Sequence, residues 1–283
     1  AATATITTNN LSTNAGANDT QNYTVIAAAA DTLTVVTPTR TVASADCSLV
    51  VTVERQDEFG NTASPASAST VNLASSETAT FYTDSSCATG AITSVEITSG
   101  ASQANFYFSQ VSTGSPVITA SGLTTNGTQT ESVVPGPPYQ LVYTTTATDL
   151  NVAVCSNAVT IRRKDQAGHT TTPSYSTTLT PAGSNFDFFS DSSCSNSIST
   201  INIAANASDT TFYFKSNVMG TRALTVTGVG ITQAASQDQT LLSGLPANVA
   251  FVVDGVSSIV ANSCTSFSLE VKDIFGNSIN EST

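Results

Sequence analysis

Cysteine is the residue type with the most chemistry to offer in this chain, and its spacing recurs. Cys47 and Cys87 stand 40 residues apart, Cys155 and Cys194 stand 39 apart, and Cys264 opens the same pattern a third time. Equivalent pairs in successive copies predict two structural disulfides, Cys47 with Cys87 and Cys155 with Cys194. Cys264 is then the first member of a third pair, unpaired by truncation rather than a nucleophile or an intermolecular bridge. Paired cysteines imply an oxidising compartment outside the cytosol. Zinc is disfavoured, because no Cys-x-x-Cys spacing occurs and His169 is the single histidine.

An acidic turn follows each first cysteine. Asp57-Glu58-Phe59-Gly60-Asn61 returns as Asp165-Gln166-Ala167-Gly168-His169 and as Asp273-Ile274-Phe275-Gly276-Asn277. Asp57, Glu58 and Asn61 are clustered oxygen donors of the kind calcium uses. The same residues also make a turn, with aspartate capping backbone N–H groups and glycine supplying positive φ. Between copies Glu58 becomes Gln166 and then Ile274, while the aspartate and glycine persist. The turn reading is therefore preferred, and no metal or cofactor is expected.

Catalytic groups are scarce. His169 occupies a place that Asn61 and Asn277 fill in the other copies, and the acids are scattered along strand ends instead of facing each other across a cleft. The run Arg162-Arg163-Lys164 alternates faces of a strand and is expected to form surface ion pairs worth under about 1 kcal/mol each. Tyr107 and Tyr213 point outward, either to pack across neighbouring strands or to serve as stacking platforms or lateral contacts. Asn-x-Ser/Thr sequons at Asn10, Asn18, Asn22, Asn126, Asn206 and Asn280 are no more numerous than the hydroxyl content gives by chance.

The elements that must position these residues are strands. Of 283 residues, 87 are Ser or Thr and only 8 are Lys or Arg. Such a composition favours pleated surfaces over helices. Period-two alternation predicts strands near 32–37, 48–57, 69–75, 79–84, 91–98, 103–110, 115–121 and 128–134. Leu49, Val51 and Val53 should share one face of the second, and Ala104, Phe106 and Phe108 one face of the sixth. Asn126-Gly127 reads as a two-residue hairpin turn. The whole pattern recurs about 108 residues later, with Phe212 and Phe214 in place of Phe106 and Phe108. Short antiparallel strands, each with one apolar face, describe two-sheet sandwiches.

The repeat divides the chain into residues 30–137 and 138–245, with 1–29 as the tail of a preceding repeat and 246–283 as the start of a further one. Both ends being partial, an excerpt of a longer array is expected. Prolines at 135, 137, 138 and 246 mark short, semi-rigid junctions, and the units should string out as a rod. A net charge of −12 argues against phosphate-backbone binding, hence nucleic acid, and disfavours an anionic membrane surface. No apolar run approaches the roughly 18 to 20 residues that cross a bilayer, so no membrane insertion is expected in this segment.

Three stretches together carry a resemblance: Val51-Thr52-Val53-Glu54-Arg55-Gln56-Asp57-Glu58-Phe59-Gly60-Asn61, Phe81-Tyr82-x-Asp84-x-x-Cys87, and Ala104-Asn105-Phe106-Tyr107-Phe108. They are similar to the tandem bacterial immunoglobulin-like repeats of the invasin and intimin kind, in their cysteine-bearing versions from long secreted or surface proteins of Gram-negative bacteria. The resemblance implies an all-β chain of tandem immunoglobulin-like β-sandwich domains, each with one intradomain disulfide. It implies a non-enzymatic extracellular or cell-surface stalk, fibre or filament. Its partners would be neighbouring repeats of the same chain and, in a filament, identical chains. The alternative is an adhesin module that itself binds a glycan or host protein, stiffened by calcium. Gln166-Ala167-Gly168-His169 departs from the pattern, which weakens this turn as a shared ligand site.

Overall fold

The computed structural model describes residues 2–8, 19–252, 258, 260–264 and 266–279. It divides into two compact units, Ala1–Gly136 and Pro137–Thr283. Every regular element among the described residues is a β-strand, and none of them forms a helix long and apolar enough to cross a membrane.

In the first unit, β1 (Ala2–Thr8) and β2 (Asp19–Val25) pair as an antiparallel hairpin. The sandwich follows as β3 (Thr32–Val35), β4 (Thr41–Ala43), β5 (Val51–Gln56), β6 (Ser69–Ser75), β7 (Thr80–Tyr82), β8 (Ser94–Ile97), β9 (Gln103–Ser109), β10 (Val117–Ser121), β11 (Gly127–Thr130) and β12 (Ser132–Val134). One sheet has the order β3-β5-β9-β7 and the other β11-β10-β6-β8. The short β4 pairs in parallel with β12. β3, β5 and β9 thus share one sheet with β7, while β6, β10 and β11 share the other with β8. That is the immunoglobulin-like division. Between β6 and β9 the chain first adds β7 to one sheet and then returns to add β8 to the other.

The second unit repeats this with β13 (Gln140–Tyr143), β14 (Leu150–Asn151), β15 (Val159–Lys164), β16 (Thr177–Ala182), β17 (Asp187–Phe189), β18 (Ile201–Ile203), β19 (Asp209–Lys215), β20 (Gly220–Gly228) and β21 (Ala235–Leu242). Its sheets are β13-β15-β19-β17 and β14-β21-β20-β16-β18. The continuous β21 takes both partners that β11 and β12 divide between them in the first unit. A final antiparallel pair, β22 (Pro246–Val252) and β23 (Ser268–Asp273), sets Asn248 opposite Lys272. The corresponding pairs are Thr32 with Gln56 and Gln140 with Lys164, so three copies share one register.

The cores come from the inward faces, as alternation demands. In the first unit Val51, Val53, Val71, Leu73, Phe106, Phe108, Ile118 and Ala120 are buried, with Phe81 meeting Phe106 edge to face at 5.8 Å. In the second, Phe186, Phe212 and Phe214 join Ile161, Leu179, Leu224 and Val226.

Several details differ from the expectation. Leu49 is not on the inward face with Val51 and Val53: it precedes β5 and is 78% exposed. The short β4 gave no periodic signal in three residues. The predicted strand at 128–134 is two, because the chain passes from β10 to the separate partner β4. Asn126-Gly127 is not a two-residue turn with positive φ at both positions; Gly122 bears the positive φ of that loop, at 136°. Gly127 is required for another reason, since a Cβ there would lie 2.9 Å from the Leu33 carbonyl oxygen.

The largest departure concerns arginine. Arg162 does form an outward ion pair, with two 2.7 Å bonds to Asp209. Arg163, however, is fully buried, as is Arg55 at the same place in the first unit. Arg163 is in phase with Val159 and Ile161, so the strand's inward face ends in a guanidinium. No carboxylate receives it. Instead Nε and Nη2 of Arg163 donate to the Ala207 carbonyl, Nη2 to Ala204 as well, and Nη1 to the Tyr175 carbonyl and Thr177 Oγ1, at 2.6 to 3.2 Å. Arg55 does the same for the carbonyls of Ala101, Thr98, Ser67 and Pro65 and for Ser69 Oγ. Burial lowers both guanidinium pKa values, but arginine starts so high that it stays charged. One side chain therefore ties together two loops that share no strand. Replacing Arg163 with methionine takes its donors from the Ala207 and Tyr175 carbonyls and the Thr177 hydroxyl, and the expected loss is about 1 to 3 kcal/mol. Arg162→Met should cost under about 1 kcal/mol. Denaturant unfolding of the two variants checks this difference.

Candidate functional site

Two clusters in each sandwich gather the residues singled out by their chemistry. The first is the disulfide. Cys47 precedes β5 and Cys87 follows β7, and the two are bonded with their Cα atoms 5.5 Å apart. Cys155 and Cys194 are bonded in the second unit, at 5.7 Å. In sheet order β9 lies between β5 and β7, so the bridge passes over β9 and joins the strands on either side of it. It stays within one sheet, whereas the antibody bridge crosses the core. Closing a loop of this length removes unfolded-chain entropy worth on the order of 4 kcal/mol. Cys264 is exposed and unbonded.

The second cysteine of each pair sits in a small nest that the sequence did not announce. Cys87 and Cys194 adopt left-handed backbone, at φ 52° and 51°. An L-residue avoids this region unless its surroundings hold it there. The holding group is the aspartate three residues earlier. Asp84 accepts from the N–H groups of Ser86, Ala88 and Thr89 and from the Ser86 and Thr89 hydroxyls. Asp191 accepts from the N–H groups of Ser193, Ser195 and Asn196 and from two serine hydroxyls. The signal was present in the repeated Asp-Ser-Ser-Cys: a short acid followed by small donors is a loop organiser.

The acidic turn forms the other cluster. Asp57 is 2% exposed, and its Oδ1 accepts from the N–H groups of Phe59 and Asn61. Its Oδ2 accepts from Asn61 Nδ2 and from the N–H of Ala28, 3.0 Å away on the segment entering the sandwich. Asp273 repeats the arrangement, with Phe275 and Asn277 on one oxygen and the Gly244 N–H on the other at 2.9 Å. Asn277 also donates from Nδ2 to the Asn217 carbonyl and accepts from the Met219 N–H. In the second copy His169 plays the asparagine's part: its N–H donates to Asp165 Oδ1, and its Nδ1 lies 3.1 Å from Oδ2. Gly60, Gly168 and Gly276 supply the positive φ. These carboxylates face N–H donors, Asn61 turning its amide nitrogen and not its oxygen toward Asp57. Among the described residues no group of three His, Cys, Asp or Glu side chains is placed to hold a metal ion.

Tyr107 and Tyr213 are half-buried and stand opposite Tyr82 and Phe189 in the adjoining strand. Lys215 lies over the Phe189 ring at 5.4 Å. Asn126 and Asn206 lie in loops, Asn22 lies in β2, and Asn10, Asn18 and Asn280 fall outside the described residues.

No family model and no curated protein matches the chain. Solved structures with related architecture are found at low similarity. InvD of Yersinia pseudotuberculosis is 17% identical with a TM-score of 0.35, over 88% of this chain and 71% of its own. Invasin, a bacterial integrin-binding protein, is 15% identical with a TM-score of 0.35, and the matched part spans 48% of that chain, about half its length. Domains 5–6 of the S-layer protein SbsC are 19% identical with a TM-score of 0.28, covering 77% of this chain and 99% of theirs. At these values nothing about this chain is inferred from them. The assignment to immunoglobulin-like sandwiches rests on the strand connections themselves.

Hydrogen bonds hold the loop aspartates well below the usual carboxylate range. Asp84 is lowered chiefly by the hydroxyls of Ser86 and Thr89, Asp191 by Ser193 and Asn196. Burial pushes Asp273 up, but Asn277, Gly244 and Phe275 outweigh it and bring it down to about 2. A carboxyl whose folded pKa lies under its unfolded value of about 3.9 contributes stability that is complete above that value and lost as pH falls through the folded pKa. Thermal melting should therefore be nearly flat between pH 7 and pH 5 and drop steeply below about pH 4. In the Asp84→Asn, Asp191→Asn variant, melting should start lower at pH 7 and fall less on acidification.

Proposed function

We propose that this chain is a non-enzymatic structural segment of an extracellular bacterial surface protein, a stalk, fibre or filament of tandem immunoglobulin-like repeats. The observation that carries the proposal is which residues survive from copy to copy. The disulfide, the loop aspartate, the buried arginine and the turn aspartate occupy the same places in both complete sandwiches, and every one of them holds backbone in place. The groups a reaction would need are not kept: His169 is asparagine in the other copies. Disulfides fit a location outside the cytosol.

On this reading the repeats are residues 30–137 and 138–245. Residues 1–29 are the end of a preceding repeat and 246–283 the beginning of a further one. The turn aspartate acts at the joint, since Asp57 and Asp273 each bond an N–H of the segment that leads into their own sandwich strands. Asn277 adds bonds to the loop between β19 and β20. Such bonds remove freedom from a junction without adding a ligand site. Neighbouring repeats of the same chain are then the principal partners, with identical chains alongside in a filament.

A panel of immobilised glycans and extracellular host proteins, probed with the full chain, tests the assignment. The expected result is no saturable binding at micromolar concentration. Saturable micromolar binding to any member would replace the structural reading with that of an adhesin module.

A further inference from the structure

The two sandwiches differ at one place where the first is filled and the second is open. In the first unit Arg40 lies at the start of β4 and its guanidinium occupies a seat of oxygen atoms. Nη1 donates to the carbonyls of Leu49 and Val50 at 2.7 and 2.6 Å. Nη2 donates to Thr37 Oγ1 and the Pro38 carbonyl at 2.9 and 3.0 Å. Nε lies 3.3 Å from Oε1 of the buried Glu131, whose other oxygen accepts from the Arg40 N–H.

The backbone of that seat is reproduced in the second unit. Thr145 replaces Thr37, and its hydroxyl accepts from the Thr160 N–H as that of Thr37 does from Thr52. Its carbonyl accepts from Gln237 Nε2 as that of Thr37 does from Gln129. Ala153 keeps the left-handed backbone of Ala45. Counting along the gapless stretch that follows Thr37 and Thr145, Leu49 and Val50 correspond to Asn157 and Ala158 and Pro38 to Thr146; Glu131 corresponds to Gln239, each two residues after the matched Gln129 or Gln237. Arg40 corresponds to Thr148, whose side chain is too short to reach. What remains is a cavity of about 320 Å³, bounded by Thr145, Thr146, Thr148, Asn157, Ala158 and Gln239 and floored by Phe214 and Val159.

We propose that this cavity is a seat for an arginine guanidinium supplied from outside the unit. A fork of five N–H donors can engage three carbonyls and a hydroxyl at once, as Arg40 does in the first unit; an ammonium, with its three donors on a single atom, cannot. A carboxylate is not required, because Arg163 in this same unit is held by carbonyls and a threonine hydroxyl alone. The chain's net charge of −12 raises the local concentration of any cation that approaches. The guanidinium can come from the side chain of another polypeptide or from a free arginine-like metabolite.

Amide chemical shifts of the full chain, titrated with N-acetyl-arginine-N-methylamide, test the proposal. Saturable shifts in the millimolar range are expected at Thr145, Thr146, Thr148, Asn157 and Ala158, with none from N-acetyl-lysine-N-methylamide. Thr148→Arg should fill the seat from within and abolish them. Weaker binding of free arginine than of the capped form supports a polypeptide donor, and equal or tighter binding supports the metabolite. Absence of saturable shifts with both arginine probes, equal shifts with the lysine probe, or shifts that persist in Thr148→Arg would overturn it. Should Thr148→Arg not fold, Gln239→Glu decides: several-fold tighter binding is expected, as Glu131 pairs with Arg40, and unchanged or weaker affinity would overturn the assignment.

Discussion

A guanidinium taken out of water must find a partner for every N–H it carries, and in these sandwiches backbone carbonyls provide the partners. Arg55 and Arg163 each lie at the end of the strand that their unit's disulfide cysteine begins. That strand, β5 or β15, is fixed at both ends. At its start Cys47 or Cys155 reaches across the sheet to a loop that Asp84 or Asp191 has folded. At its end the arginine gathers the loop leading to β6 or β16 and the turn leading to β9 or β19. The turn aspartate follows two residues later and collects the entering segment. Each device ties a connection between strands to one covalent or charged group, and this is how short strands with few large side chains keep long connections ordered.

Most of the fold was legible because it depends on period and recurrence. Val51 and Val53, Phe106 and Phe108, and their counterparts announce inward faces, and a repeat of about 108 residues converts five cysteines into two pairs and a remainder. The same rule extended two residues further would have put Arg163 inward. That placement runs against the usual exposure of arginine, which is almost never fully buried unless its N–H groups are paired. Asp84 was visible as part of a motif but not as its organiser, since five donors converge on it only once the loop is closed. Leu49 misled for the opposite reason: it continues the alternation into residues 48–50, an irregular stretch between the Cys47–Ser109 bridge and the start of β5.

The comparison between copies also separates what the fold needs from what one copy has. Arg40 with Glu131 in the first sandwich becomes Thr148 with Gln239 in the second, and the sandwich forms either way. Burial raises the Glu131 carboxyl, and the Arg40 N–H and guanidinium pull against that rise. In the third copy Val271 stands at the arginine position and is 39% exposed, beside the ion pair of Lys272 with Glu270 at 3.1 Å. The turn aspartate persists there with its full set of donors. The turn aspartate thus persists in all three copies where the arginine does not.

The clamp of carbonyls around Arg55 and Arg163 is the claim on which this account most depends, and hydrogen exchange of the arginine side chains at neutral pH reads it directly. In the intact chain the Nε–H protons of Arg55 and Arg163 should persist long after that of Arg162 has exchanged, because both are held at 3.1 Å on backbone carbonyls by side chains that are fully buried, whereas the Arg162 side chain is 36% exposed. Exchange of all three at the same rate would contradict it.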